Sequence, residues 1–142
     1  MAEIKNPGVF EVGNPLPEQF SKYFIGQAYL NPLTKTGGAI ANVTFSPGCR
    51  NNWHVHHKGG QILLVTGGRG WYQEWGKAPQ ALKPGDVVNI APEVKHWHGA
   101  AADSWFSHVV VETRNEDNAV EWLEPVDDAY YLQVEMLNIG NL

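Results

Sequence analysis

A chain of 142 residues that is 43% hydrophobic and 18% charged has the size and composition of one globular domain. Its net charge of −5 disfavours a nucleic-acid partner, because no basic patch is available to neutralise phosphates. The single cysteine, Cys49, excludes an internal disulfide and a thiolate zinc cluster. The sequence has neither a signal-peptide-like N-terminus nor a membrane-length apolar segment, so we expect a cytoplasmic protein that does not bind membranes.

The first 37 residues are predicted to form an N-terminal arm of short extended pieces. Prolines at positions 7, 15, 17 and 32 interrupt this region and prevent long regular elements. A helical turn is predicted near Pro17–Phe24. The arm can also add a strand to the sheet of a second copy of the chain.

Residues 38–115 are predicted to form an all-β barrel. Alternating or short apolar runs are separated by turns that contain glycine or proline. The runs are AIANVTF (39–45), GQILLVTG (60–67), GWYQEW (70–75), GDVVNIA (85–91) and WFSHVVVET (105–113). Short strands at nearly regular spacing are typical of a sandwich, barrel or jelly roll.

The pattern changes in residues 116–142, which are predicted to form a helical C-terminal segment. The stretches NAVEWLEPV and VDDAYYLQVEML have helix-like apolar spacing, and Asp127 is a candidate N-cap for the second. We expect this segment to cover one edge of the barrel. The chain is therefore predicted to be a single domain spanning residues 1–142.

All six histidines lie between positions 54 and 108, and several are candidate metal ligands. His54 and His56 are two residues apart in a strand, so their side chains project from the same face. Gln61 begins the next strand after a Gly-Gly turn and can return to the same place. His96 follows the strand DVVNIA and can supply a fourth ligand, whereas His57 is expected to point towards the surface.

The spacing of these residues resembles the two motifs of the cupin superfamily. The matching positions are Gly48, His54, His56, Gln61, Gly68, Gly85 and His96. The resemblance implies a small jelly-roll β-barrel that holds one divalent metal ion per chain with His54, His56, Gln61 and His96. The sequence departs from the usual pattern at four positions: Gln61 replaces Glu, Ala91 and Glu93 replace Pro and Gly, and Ala100 replaces Asn.

The glutamine at position 61 changes the predicted charge of the metal site. Three neutral imidazoles with a glutamate leave a divalent ion at net +1, whereas three imidazoles with Gln61 leave it at +2. The ion is then a stronger Lewis acid and is harder to oxidise, which favours stabilisation of a bound anion. Nitrogen and amide-oxygen ligands suit Mn, Fe, Co, Ni or Zn.

Four stretches resemble a narrower group, the small single-domain bacterial cupins that include the manganese-dependent hydroxynitrile lyases. These stretches are VTFSPGCRNNWHVH, LVTGGRGWYQ, LKPGDVVNIAPEVKHWHGA and SHVVVE. The resemblance implies a manganese-dependent lyase that cleaves and forms cyanohydrins of aldehydes, with His108 as its acid/base. It also implies a homodimer or homotetramer. This chain has one more residue between His56 and Gln61 and carries Glu112 where the group tends to have Gln.

Strand parity places His108 and Glu112 on one face of WFSHVVVET. If that face points inward, His108 is a base in the cavity and Glu112 is a second candidate catalytic residue. The alternative is a histidine that is hydrogen-bonded in the wall or exposed outside. His98 shares parity with His96 and is expected to support the ligands. The nearby tryptophans Trp53, Trp71, Trp97 and Trp105 either line a substrate pocket or fill the core.

Two other functions are compatible with the same residues. The first is a metal-dependent dioxygenase or isomerase that acts on a small diketone, enol or sugar acid. The second is a non-catalytic cupin that binds a small ligand. Oxygen consumption separates an oxygenase from a lyase, and turnover separates an enzyme from a binding protein.

Overall fold

The computed structural model describes residues 3–34, 36, 39–113 and 118–139. The elements in chain order are β1 (Asn14–Pro15), α1 (Glu18–Ser21), β2 (Phe24–Ile25), β3 (Ala28–Pro32), β4 (Ile40–Phe45), β5 (Arg50–Asn51), β6 (His54–His57), β7 (Gln61–Gly68), β8 (Gly70–Glu74), β9 (Gln80–Leu82), β10 (Val87–Ile90), β11 (His96–Ala100), β12 (Phe106–Glu112), β13 (Ala119–Trp122) and α2 (Asp128–Ile139). The predicted all-β fold is confirmed. The predicted barrel limits, residues 38 and 115, lie outside the described residues.

The strands form two antiparallel sheets. The first has the order β1-β3-β4-β12-β7-β10, and the second contains β13-β6-β11-β5-β2, with β8 joining β11 to β9. The N-terminal arm therefore contributes strands to both sheets of its own chain, and α1 confirms the helical turn predicted near Pro17–Phe24.

The first sheet is centred on β12, which pairs with both β4 and β7. Its apolar residues pack against β4 and β7 in a buried core that includes Phe45, Leu63, Val65, Phe106 and Val110. A β-bulge interrupts the β12–β7 register between Ser107 and His108. The Ser107 hydroxyl bonds the Thr44 hydroxyl at 2.7 Å.

The helix predicted across NAVEWLEPV is wrong, because residues Ala119–Trp122 form strand β13. This strand pairs with β6, which places Val120 opposite His56 and Trp122 opposite His54. A local apolar spacing compatible with a helix is overridden here by pairing with a distant strand. The second predicted helix is confirmed as α2, and Asp127 Oδ1 accepts a hydrogen bond from the Tyr130 backbone N–H at 2.8 Å.

Helix α2 packs on a second apolar cluster outside the barrel core. This cluster contains Trp53, Trp71, Trp97, Val126, Tyr131 and Val134. Arg50 fixes the start of the helix, because its guanidinium donates to the Val126 carbonyl at 2.9 Å and to Asp128 Oδ1 at 2.7 Å. Three of the four tryptophans considered above therefore fill a core under α2, and the cavity described below does not include them.

Among the described residues, no helix has both the length and the apolar character that a membrane crossing requires.

Candidate metal centre

Three histidines converge where β6 meets β11. His96 lies directly opposite His54 in the antiparallel pairing of these strands, and His56 is two residues further along β6. One ring nitrogen from each of His54, His56 and His96 lies within 4.8 Å of the other two, and all three side chains are buried. Three buried imidazoles at this separation could bind a metal ion.

Hydrogen bonds at Nδ1 orient the three imidazole rings. Nδ1 of His54 lies 2.8 Å from the Asn52 carbonyl, and Nδ1 of His96 lies 2.9 Å from the Val94 carbonyl. Nδ1 of His56 lies 2.9 Å from Asn118 Oδ1. Because these oxygens only accept hydrogen bonds, each Nδ1 carries the proton and each Nε2 keeps a lone pair for a metal.

The side-chain amide of Gln61 is oriented in the same way. Its Nε2 donates to Glu112 Oε1 at 2.8 Å, and a carboxylate can only accept from it. The amide oxygen is buried and has no hydrogen-bond partner among residues 3–34, 36, 39–113 and 118–139; the same is true of Nε2 of His96. Buried acceptors without a donor suit a cation, so the residues present fit a divalent metal.

Burial keeps two of the candidate ligand histidines neutral. Desolvation lowers the pKa of His54 well below its usual range and lowers the pKa of His96 to about 4. An imidazole must be deprotonated to bind a metal, and these two already are at physiological pH.

A cavity of about 370 Å³ lies beside this cluster, and Trp122, whose ring packs on the His54 ring, is part of its wall. His54, His56 and His96 themselves do not line it. The polar residues of the wall are Thr34, Gln61, His98, His108 and Glu112, and most of its other residues are apolar. A mostly apolar cavity with a few polar groups is typical of a site for a small organic ligand.

His108 lies in this wall and is fully buried. Neither of its ring nitrogens has a hydrogen-bond partner within the described part of the chain, and its ring packs edge-on to Phe45 at 5.5 Å. Burial lowers the pKa of His108 to about 3, so the ring is neutral at physiological pH. His98 differs from it, because its ring lies 3.2 Å from the Asn51 side-chain amide.

Glu112 also lines the cavity, but both of its oxygens are bonded to amides. Oε1 accepts from Gln61, and Oε2 accepts from Asn118 Nδ2 at 3.0 Å. Oε2 also lies 3.6 Å from Nδ1 of His56. The carboxylate therefore contacts Gln61 directly and lies close to His56, and both are candidate metal ligands.

His57 lies outside the site, as predicted. Its side chain is partly exposed and bridges the carboxylates of Glu93 and Glu121. Glu93 occupies the position expected to be glycine and has a φ of 70°, which is unfavourable for a side chain. Its carboxylate accepts from the Lys58 N–H at 3.0 Å, and its own N–H donates to the His56 carbonyl at 2.8 Å. These bonds join the turns after His56 and before His96.

The family model for the cupin domain matches residues 41–111. The chain belongs to the cupin family. Over 113 residues, 77% of this chain and 86% of the relative, it is 42% identical to an (R)-mandelonitrile lyase of Granulicella tundricola.

Two solved structures are similar in fold to this cupin. A cupin-like protein of Thermotoga maritima is 40% identical, covers 89% of this chain and 96% of its own, and superimposes with a TM-score of 0.80. A cupin-2 domain protein of Rhodospirillum rubrum is 18% identical, covers 95% of this chain and 97% of its own, and has a TM-score of 0.69. The second likeness concerns the fold alone.

Two residues of the site in this cupin, Asn118 and Trp122, were not identified from the sequence. The Trp122 ring packs on the His54 ring at 4.7 Å and on Tyr23 at 4.7 Å, and it lines the cavity. Both residues flank or belong to β13, beyond the match to the cupin model. In a strand, Asn118, Val120 and Trp122 lie on one face, and this pattern could have indicated the two residues. It was missed because the segment was predicted to be helical.

The buried neutral His108 is expected to make the metal-free cupin sensitive to acid. Its pKa in the unfolded chain is near 6.5 and its pKa in the folded chain is about 3, so the unfolded state binds more protons between these values. The free energy of unfolding should therefore fall as the pH drops below 6.5. From pH 8 to pH 5, His108 should account for about 2 kcal/mol of that loss.

Urea unfolding of the wild type and of His108→Gln at both pH values measures this contribution. The loss on acidification should be smaller by about 2 kcal/mol in the variant. Equal losses in the two proteins would show that His108 is not held neutral by burial.

Proposed function

We propose that this cupin is a metal-dependent lyase that cleaves and forms cyanohydrins of aromatic aldehydes. The observation that carries the proposal is a neutral His108 that has no hydrogen-bond partner among the described residues and lies in the wall of a largely apolar cavity. Gln61 belongs to the same wall, and three converging histidines lie beside the cavity. The identity to an (R)-mandelonitrile lyase supports the same chemistry. Manganese is the proposed ion.

In this proposal His54, His56, His96 and Gln61 hold the ion. Bound there, a divalent ion would supply Lewis acidity that lowers the pKa of a cyanohydrin hydroxyl group. The neutral amide of Gln61 leaves that acidity stronger than a glutamate ligand would.

His108 is the proposed acid and base. Its ring accepts the hydroxyl proton at a free nitrogen, the C–C bond breaks, and the aldehyde forms as cyanide departs. The same ring then returns the proton to cyanide, so that one cyanohydrin yields one aldehyde and one hydrogen cyanide. Because burial keeps the pKa of His108 at about 3, the ring is a weak base and requires an acidified hydroxyl.

The apolar residues of the cavity support the proposal of an aromatic substrate. Phe24, Phe45 and Val43 offer apolar contacts to an aromatic ring, and the volume of about 370 Å³ is within the range of small-molecule sites. With its ring among these side chains, a substrate can direct its hydroxyl group towards the polar residues of the wall.

Cyanide release from racemic mandelonitrile tests the proposal. Manganese-loaded protein should release cyanide and benzaldehyde in equal amounts without consuming oxygen, and metal-stripped protein should not. Release no faster than in the metal-stripped control would refute the lyase. Oxygen uptake with an enol or diketone would favour the dioxygenase, and ligand binding without turnover would favour a binding protein.

A further inference from the structure

The orientation of the Gln61 amide decides whether this residue can bind a metal. A primary amide has an acceptor at one end and a donor at the other, and only the oxygen is a ligand. Glu112 Oε1 accepts a hydrogen bond from Gln61 Nε2 at 2.8 Å. This contact turns the nitrogen away and leaves the buried oxygen without a hydrogen-bond partner among the described residues.

Asn118 determines the orientation of His56 by the same principle. Its Nδ2 lies within hydrogen-bonding distance of three acceptors, which are the Gly60 carbonyl at 3.0 Å, Glu112 Oε2 at 3.0 Å and the Thr113 carbonyl at 3.2 Å. The Asn118 oxygen must therefore face His56, where it lies 2.9 Å from Nδ1. His56 is thus protonated at Nδ1 and presents Nε2.

Glu112 joins the two contacts into one hydrogen-bond network. Gln61 donates to one carboxylate oxygen, Asn118 donates to the other, and His56 donates to Asn118. Two ligands that belong to different strands are thereby oriented by one ionised side chain on β12. With both oxygens occupied, Glu112 is poorly placed to act as a general base.

We propose that Glu112 and Asn118 are positioning residues that present the oxygen of Gln61 and Nε2 of His56 to the metal. The inference rests on the proposed metal site but not on the reaction. It assigns a role to Asn118, which lies beyond the stretch matched by the cupin model. It also replaces the role of catalytic base considered for Glu112.

Glu112→Ala tests the contacts of the carboxylate. Two N–H donors, from Gln61 and Asn118, bond this side chain, and alanine has no acceptor for either. Gln61 then has no partner that holds its nitrogen away from the metal site, and Asn118 loses one of the acceptors that orient it towards His56. We expect the affinity for Mn²⁺ to fall by about 10- to 100-fold.

Asn118→Ala separates the effect of ligand orientation on metal affinity from the effect of the Glu112 charge. Glu112→Ala also removes a negative charge near the ion, whereas Asn118→Ala changes no charge. We expect a loss of Mn²⁺ affinity of similar size, about 10- to 100-fold, because Nδ1 of His56 loses its acceptor and Glu112 loses a donor. Since both residues act through one hydrogen-bond network, the double variant should lose about as much Mn²⁺ affinity as the weaker-binding single variant.

Competition with a chelator measures these affinities, and the visible spectrum of the Co²⁺-loaded proteins reports the coordination. The spectrum should change in both single variants. Glu124→Ala is the matched control, because Glu124 pairs with Lys95 on the surface and does not contact the site. Its affinity should stay within about twofold of the wild type. Thermal unfolding of the metal-free proteins identifies a variant that does not fold. In that case the affinity of the other single variant tests the inference.

Unchanged affinity in Glu112→Ala or Asn118→Ala would overturn the inference, as would fully additive losses in the double variant. If the wild type binds no divalent ion, the metal site and this inference both fail. If the wild type binds Mn²⁺ but releases no cyanide, the proposed lyase fails and the positioning role is still decided by the affinities.

Discussion

Replacement of His96 by alanine is expected to abolish stoichiometric metal binding and nearly all cyanide release. His96 is fully buried opposite His54, and its Nε2 has no partner among the residues that the structure describes. Without this nitrogen, two imidazoles and one amide oxygen remain. Loss of Lewis acidity costs several kcal/mol of transition-state stabilisation, which corresponds to a decrease on the order of a thousandfold or more.

Elemental analysis of purified His96→Ala, together with its rate of cyanide release, checks this expectation. His57→Ala is the matched control, because His57 is next to a ligand in sequence but bridges Glu93 and Glu121 at the surface. The control should keep its metal and its activity. A His96→Ala protein that binds one ion per chain and turns over normally would contradict the assignment of the ligands.

Replacement of His108 by glutamine is expected to lower the rate of cyanide release by about 10²- to 10⁴-fold at saturating substrate. Glutamine keeps a polar group of similar length in the cavity wall but cannot take up the hydroxyl proton. His108 is outside the three-histidine cluster, so the variant should bind as much Mn²⁺ as the wild type.

Metal content and the separate values of kcat and KM distinguish this role from a structural one. A proton-transfer residue affects kcat, whereas a wall residue that only shapes the cavity affects mainly KM. His57→Gln makes the same chemical change at the surface and should leave both constants unaltered. A wild-type kcat in His108→Gln would remove this residue from the proposed reaction.

The charge at the proposed site differs from the one that the ligands alone indicate. Neutral Gln61 leaves a divalent ion at +2, but Glu112 carries a negative charge one hydrogen bond away, 2.8 Å from the Gln61 nitrogen. That charge is farther from the ion than a ligating carboxylate would be, so it weakens the Lewis acidity less. The Gln61–Glu112 pair therefore compensates part of the positive charge without placing an anion on the metal.

Strand periodicity predicted much of the candidate site. The parity of His54 and His56 in one strand placed two rings together, and the parity of His108 and Glu112 in another placed both on one face. A shared face depends only on the alternation of side chains along a strand, which sequence determines locally. The sequence left open whether the face of His108 and Glu112 points inward, and the structure shows that both line the cavity. His96 was a candidate ligand because it follows the strand DVVNIA, and its place in the ligand set came from the resemblance to the cupin motifs.

The role of the C-terminal segment could not be predicted in the same way. Asn118 and Trp122 reach the site because β13 pairs with β6, and this pairing joins segments that are more than 60 residues apart. Local spacing instead favoured a helix. The orientation of the Gln61 amide depends on Glu112 from β12, so it too required the three-dimensional arrangement.

The most direct test of the proposed function is the rate of cyanide release as metal-stripped protein is titrated with Mn²⁺. The rate should rise in proportion to added metal and reach a plateau at one ion per chain, while His96→Ala stays at the background rate throughout. Release that is independent of added Mn²⁺, or that is equal in His96→Ala, would contradict a lyase built on these ligands.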